Sequence, residues 1–150
     1  MKSRKNDYLK YWKVIRQFIK SKYGIGQADL DMLLFLYSEG YFKKTDFLKF
    51  NNILSWDVNR FERMRQEGWI SVFRKGAGRT HTIYELSFKS ARMIDSMYKK
   101  LNGEEIPSSL GSNPMYHKNV KYSDKVYRNM ITEMNKEIKA IKQQQRLAPE

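Results

Sequence analysis

A mainly α-helical chain with one small β hairpin is the fold class this sequence predicts, on three observations. Apolar residues recur at spacings of three and four over most of its length, the period of a helix with one buried face. Glycines at 24, 26, 40, 68 and 103 cut those stretches into ordinary helix lengths. Only residues 69–74 and 80–86 are rich in β-formers instead, and the turn between them holds Gly76 and Gly78, so they read as a hairpin.

The first helix spans residues 8–22. Tyr8, Trp12, Ile15 and Ile19 form a stripe widened by Leu9, Tyr11 and Phe18, too broad and aromatic to face water. It packs on the rest of the chain or on another chain. A second helix, 27–39, carries Leu30, Leu33, Leu34 and Tyr37, with Met32, Phe35 and Leu36 filling most of its circumference, which puts it in the core. Lys44-Thr45-Asp46 opens a short third helix with Phe47, Leu48 and Phe50 inward, and Asn51-Asn52 is expected to break it. Ser55 is a good N-cap for a fourth helix, 56–67, because its hydroxyl can accept an orphan backbone N–H. Val58, Phe61 and Met64 line one side of that helix; Trp56, Asn59, Arg60 and Arg63 line the other. After the hairpin, Ser87 caps a helix over 88–101. Residues 103–122 hold Pro107 and Pro114 and little periodicity, and read as a linker or extended arm. Ser123 is then expected to cap a last helix to about residue 145, in which Tyr127, Ile131, Met134, Ile138 and Ile141 repeat as a heptad seam.

Composition bounds the function. The 150 residues are 41% hydrophobic and 30% charged, enough for a packed core in one ordinary domain or a small domain with extensions. With no cysteine there is no disulfide framework, thiolate metal site or cysteine nucleophile. No run approaches the roughly 18 apolar residues of a membrane span, and the basic N-terminus leads into amphipathic sequence, so a soluble cytoplasmic protein without membrane partners is expected. Lysine and arginine number 29 against 16 acids, a net charge of +13, which attracts polyanions and nucleic acid above all. That charge is uneven: residues 1–22 hold eight basic side chains and one acid, residues 23–54 three and four.

Helix, helix, short helix, polar-faced helix, basic hairpin, helix is the element order of a winged helix-turn-helix. In that design the second helix of the pair enters the major groove and the wing meets the backbone or minor groove. The residue types suit the task. Arg60 and Arg63 can fork a guanine edge and Asn59 can pair with adenine. Arg74, Lys75, Arg79 and His81 are placed for phosphates or a narrow minor groove. Lys44 and Thr45, with Ser55 and Trp56 at the start of the recognition helix, complete the candidate double-stranded DNA surface. Domain boundaries follow: residues 1–102 as the winged-helix domain with its N-terminal helix, 103–122 as the arm, 123–150 as the terminal helix.

The stretch 27–86 resembles the core of the MarR-type transcriptional regulators. Gln27-Ala28-Asp29-Leu30 with Leu33-Leu34 is similar to that family's second helix. Val58-Asn59-Arg60 followed by Glu67-Gly68-Trp69-Ile70 is similar to its recognition helix and wing entry, and Leu86-Ser87 with Ala91 to the step after the wing. The wing departs from the family pattern: Lys75-Gly76-Ala77-Gly78-Arg79 has the arginine but not the aspartate before it. A second resemblance is to the PadR-type regulators. MarR-type proteins dimerise through their N- and C-terminal helices, which implies a homodimer here, with Trp12, Ile15 and Ile19 and the seam Tyr127, Ile131, Met134, Ile138 and Ile141 at its interface. The resemblance also allows the aromatics Tyr8, Tyr11, Trp12 and Phe18 to line a pocket for a small apolar effector; a core or a dimer interface is the other reading.

Nothing in the sequence points to catalysis, a metal or a cofactor. His81 and His117 stand in no ligand spacing, Gly76-Ala77-Gly78 lies in a hairpin and not between strand and helix, and Glu104-Glu105 fall in the arm. The function expected is a sequence-specific DNA-binding transcriptional regulator. The alternative is a structural or assembly protein that keeps the winged-helix scaffold for protein contacts or unspecific nucleic-acid binding.

Overall fold

The computed structural model describes residues 8–54 and 58–147. Among them run α1 (Tyr8–Tyr23), α2 (Gln27–Glu39), α3 (Lys44–Leu54), α4 (Val58–Gln66), β1 (Ile70–Arg74), β2 (Ile83–Leu86), α5 (Phe88–Leu101) and α6 (Tyr122–Leu147), with a 3-10 turn at Pro114–Tyr116. This is the winged helix-turn-helix order with helices added at both ends. The chain gathers into two compact units, Met1–Gly24 with Ser96–Glu150 and Ile25–Asp95, with boundaries between α1 and α2 and within α5.

The Ile25–Asp95 unit carries the helix-turn-helix and the wing. Leu30, Met32, Leu33 and Leu36 of α2 are buried, as the near-continuous apolar run requires. Gly40 stops the helix in the left-handed region at φ 80° and returns its N–H to the Leu36 carbonyl. At the start of α3 the Lys43 backbone N–H donates to Asp46 Oδ2 at 2.9 Å, the reach-back half of a capping box. The expected break at Asn51-Asn52 is absent, and α3 continues to Leu54. Asparagine weakens a helix by only about 0.7 kcal/mol per residue relative to alanine, and unlike proline it removes no backbone donor. Buried Phe47 anchors the helix before the pair is reached.

Aromatic packing joins the helices to the sheet. Phe61 of α4 meets Phe47 edge-on at 4.9 Å and Tyr84 of β2 edge-on at 5.1 Å. Tyr84 in turn exchanges both backbone bonds with Phe42, in the α2–α3 connection, at 3.0 and 2.8 Å. The wing is thereby tied to the helix-turn-helix on its inner edge. At its base the Trp69 carbonyl accepts from the Ser87 N–H and the buried Ser90 hydroxyl, so α5 starts where the hairpin closes; the Ser90 N–H donates to Ser87 Oγ, as a serine cap should accept it.

The second strand is shorter than expected, starting at Ile83 and not at residue 80. Thr80 and Thr82 turn their hydroxyls into the loop, accepting the Ala77 and Gly76 backbone N–H groups at 2.8 and 3.1 Å. These local bonds compete with the ladder and win near the tip. A register shift between Val72 and Arg74 leaves Phe73 as the extra residue, its ring packed on Tyr41 at 4.2 Å.

In the other unit α1 buries Val14, Ile15, Phe18 and Ile19, and α6 buries Ile131 and Met134. The Tyr11 hydroxyl donates to Glu137 Oε2 at 3.0 Å and Gln17 Nε2 to Asp124 Oδ1 at 3.3 Å. α6 starts at Tyr122, which puts Ser123 inside its first turn instead of at the expected cap. From within α6, Asn135 holds both backbone groups of Ile106, in the segment ahead of the helix, at 2.9 and 2.8 Å. Asn113 is buried, accepts from the Met115 N–H and donates to the Pro107 carbonyl.

Candidate nucleic-acid interface

Two surfaces of the Ile25–Asp95 unit carry the basic residues singled out by the sequence. On α4, Phe61 and Met64 point into the protein and are fully buried. A helix turns about 100° per residue, so the opposite face is centred on Asn59 and Gln66 with Glu62 and Arg63 beside them. Asn59 and Gln66 are exposed, and among the described residues neither side chain makes a hydrogen bond. Gln66 was not among the residues expected to bind; only its position seven residues after Asn59 marks it.

The arginines of α4 are engaged within the protein. Asp29 of α2, only 7% exposed, accepts through one oxygen from Arg60 Nη1 at 3.1 Å and from Arg63 Nη2 at 2.9 Å. Arg63 also pairs with Glu67 at 3.2 Å, and its hydrogen bond to Asp29 is the main cause that raises its pKa above the ordinary arginine value. Arg65 pairs with Glu62 at 3.6 Å and lies over the Tyr84 ring at 5.2 Å. Lys44, at the start of α3, reaches the same Glu62 at 3.3 Å, while Thr45 beside it is exposed. The Arg65–Glu62 and Arg63–Glu67 pairs have i, i+3 and i, i+4 spacings, a signal the sequence contains. Asp29 lies 31 and 34 residues from its two arginines, and no spacing rule connects them.

The wing tip differs. Arg74, Lys75, Arg79 and His81 are all exposed, and among the described residues none pairs with a carboxylate. Gly76 and Gly78 shape the loop that presents them. Gly78 sits at φ 61°, and a side chain at Gly76 would run into the Thr80 carbonyl and the His81–Thr82 peptide. Ser55 and Trp56 lie outside the described residues.

The residues expected at a dimer interface divide by depth. Ile15, Ile19, Ile131 and Met134 are buried within the single chain. Trp12, Tyr127 and Ile138 are half-buried and Ile141 is exposed; Arg16 lies over the Trp12 ring at 5.6 Å. Between α1 and α6 runs an apolar groove of about 530 Å³, walled by Leu9, Lys13, Val14, Val126, Tyr127 and Met130. None of Tyr8, Tyr11, Trp12 and Phe18 lines it. Among the described residues no group of histidines and carboxylates has a metal-binding arrangement, and no helix is long and apolar enough to cross a membrane.

No protein-family model matches the chain, and none of the curated proteins matches it significantly. Among solved structures it is similar to reduced AbfR bound to DNA, at 18% identity and a TM-score of 0.42 over 60% of this chain and 70% of that one. It is also similar to a cysteine-to-serine mutant of MarR from E. coli complexed with operator DNA, at 12% identity and a TM-score of 0.44 over 83% of this chain and 84% of that one.

Proposed function

We propose that this protein is a double-stranded DNA-binding transcriptional regulator that presents α4 to the major groove and the basic wing to the flanking backbone or minor groove. The observation that carries the reading is the wing tip, where three exposed cations without carboxylate partners share one unit with a helix whose outer face is polar. Unpaired cations attract phosphate at no internal cost, and a polar helix face next to them has base edges to meet. Lys44 and Thr45 at the start of α3 support the same docking, as phosphate contacts that fix orientation. The protein acts as a homodimer, joined through the helices of the other unit, where Tyr8, Leu9, Tyr122 and Ile141 leave apolar surface exposed. Two recognition helices then meet two half-sites about one DNA turn apart.

Selection from a randomised duplex pool at about 150 mM salt tests this reading, with a salt titration alongside. The expected result is an enriched, roughly palindromic motif. Replacing Arg74, Lys75 and Arg79 together by alanine is expected to lower the log–log salt slope by roughly 0.9 for each phosphate no longer neutralised. Absence of binding to any duplex at low salt overturns the proposal. Tight binding without a motif favours the scaffold or coating role instead.

A further inference from the structure

We infer that base reading by α4 rests on the amides Asn59 and Gln66, directed at adenine, and that Arg60 and Arg63 are positioning residues held by Asp29. The inference rests on the DNA-binding reading above and specifies which bases that site selects.

Each arginine of α4 already has a partner within the protein. To fork a guanine, a guanidinium needs two donors pointed at O6 and N7. Arg63 spends one Nη on Asp29 and the other on Glu67. Arg60 shares the same Asp29 oxygen. Turning either outward would strip a partner from a carboxylate that is nearly buried, where an unpaired charge is costly. Arg65 lies on the flank, against Glu62 and the Tyr84 ring. All three arginines of α4 are therefore committed inside the protein.

Asn59 and Gln66 have the opposite status. They occupy the centre of the outward face, are exposed, and make no side-chain hydrogen bond among the described residues. A carboxamide offers one acceptor and one donor side by side, complementary to the N6 donor and N7 acceptor of adenine. Seven residues of helix advance about 10 Å, close to three base-pair steps of about 3.4 Å. One helix face thus matches two adenines roughly three base pairs apart in each half-site. Glu62 and Glu67 border this face, each already paired with a cation, so the face offers phosphate little unpaired charge and suits a helix whose phosphate contacts are made elsewhere.

The test is selection from randomised duplexes with the parent protein and with Asn59→Ala, Gln66→Ala and Arg63→Ala. The parent is expected to enrich adenine at two positions per half-site. Each amide variant is expected to erase preference at one of those positions, a loss of about ten- to a hundredfold in discrimination there. Both side chains are exposed, so thermal melts of these variants should overlay the parent's and separate reading from folding. A motif dominated by guanine, lost in Arg63→Ala and retained in Asn59→Ala, overturns the inference while leaving the DNA-binding proposal standing. A uniform loss across all sequences in the amide variants also overturns it, because that is the signature of phosphate contact. Motif-free binding by the parent removes base reading altogether, and absence of binding removes both proposals.

Discussion

Helix α4 and the wing each carry three cationic side chains but use them in opposite ways. Between residues 58 and 67 stand Arg60, Arg63 and Arg65, each facing a carboxylate from Asp29, Glu62 or Glu67. From residue 74 to 79 stand Arg74, Lys75 and Arg79, with no carboxylate partner among the described residues. Of these two regions, the wing is therefore the stronger source of long-range attraction. Paired charges form short dipoles whose field fades quickly, whereas unpaired cations act over a Debye length of about 8 Å at physiological salt. The wing suits capture of a polyanion, and α4 suits a fixed shape with its amides outward.

Four substitutions probe this contrast. The largest effect is expected from Phe61→Ala, because that buried ring joins α4 to both Phe47 and the β2 residue Tyr84. A loss of about 3–5 kcal/mol is expected in chemical denaturation, with helix and wing failing together. Retention of parental stability would mean the two regions are held independently.

Asp29→Ala addresses the helix alone. It removes the carboxylate shared by Arg60 and Arg63, and should lower stability by about 1–2 kcal/mol, a modest figure because both guanidiniums keep access to water. Non-specific DNA affinity should rise and its salt dependence steepen, making α4 behave like the wing. A salt slope identical to the parent's would show that Asp29 does not restrain these side chains.

Gly76→Ala addresses the wing alone. The added methyl has no room beside the Thr80 carbonyl, so the loop must rearrange. DNA affinity is expected to fall severalfold in fluorescence anisotropy while the thermal midpoint stays near the parent's, since the tip is exposed. The smallest effect belongs to Lys44→Ala. Its pair with Glu62 is about half exposed on both sides and contributes at most about 1 kcal/mol. Any larger loss in a denaturation curve would place Lys44 among the determinants of the α3–α4 arrangement.

Much of this was legible in one dimension. The helix faces, the glycine stops and the hairpin follow from local periodicity and backbone freedom, and the observed elements agree with them except at a few ends. Those ends moved for local reasons: Thr80 and Thr82 bonded to the loop and shortened β2, while Asn51-Asn52 proved too weak to stop α3. Neighbours along the chain suffice to specify a winged helix-turn-helix with a basic wing, because period, turn chemistry and net charge are all local or additive properties. The i, i+3 and i, i+4 pairs of α4 can be read from spacing, but which cations are engaged across elements is settled only by folding. Asp29 meets Arg60 and Arg63 because α2 and α4 fold against each other, and an ion pair across more than thirty residues leaves no mark in any local pattern.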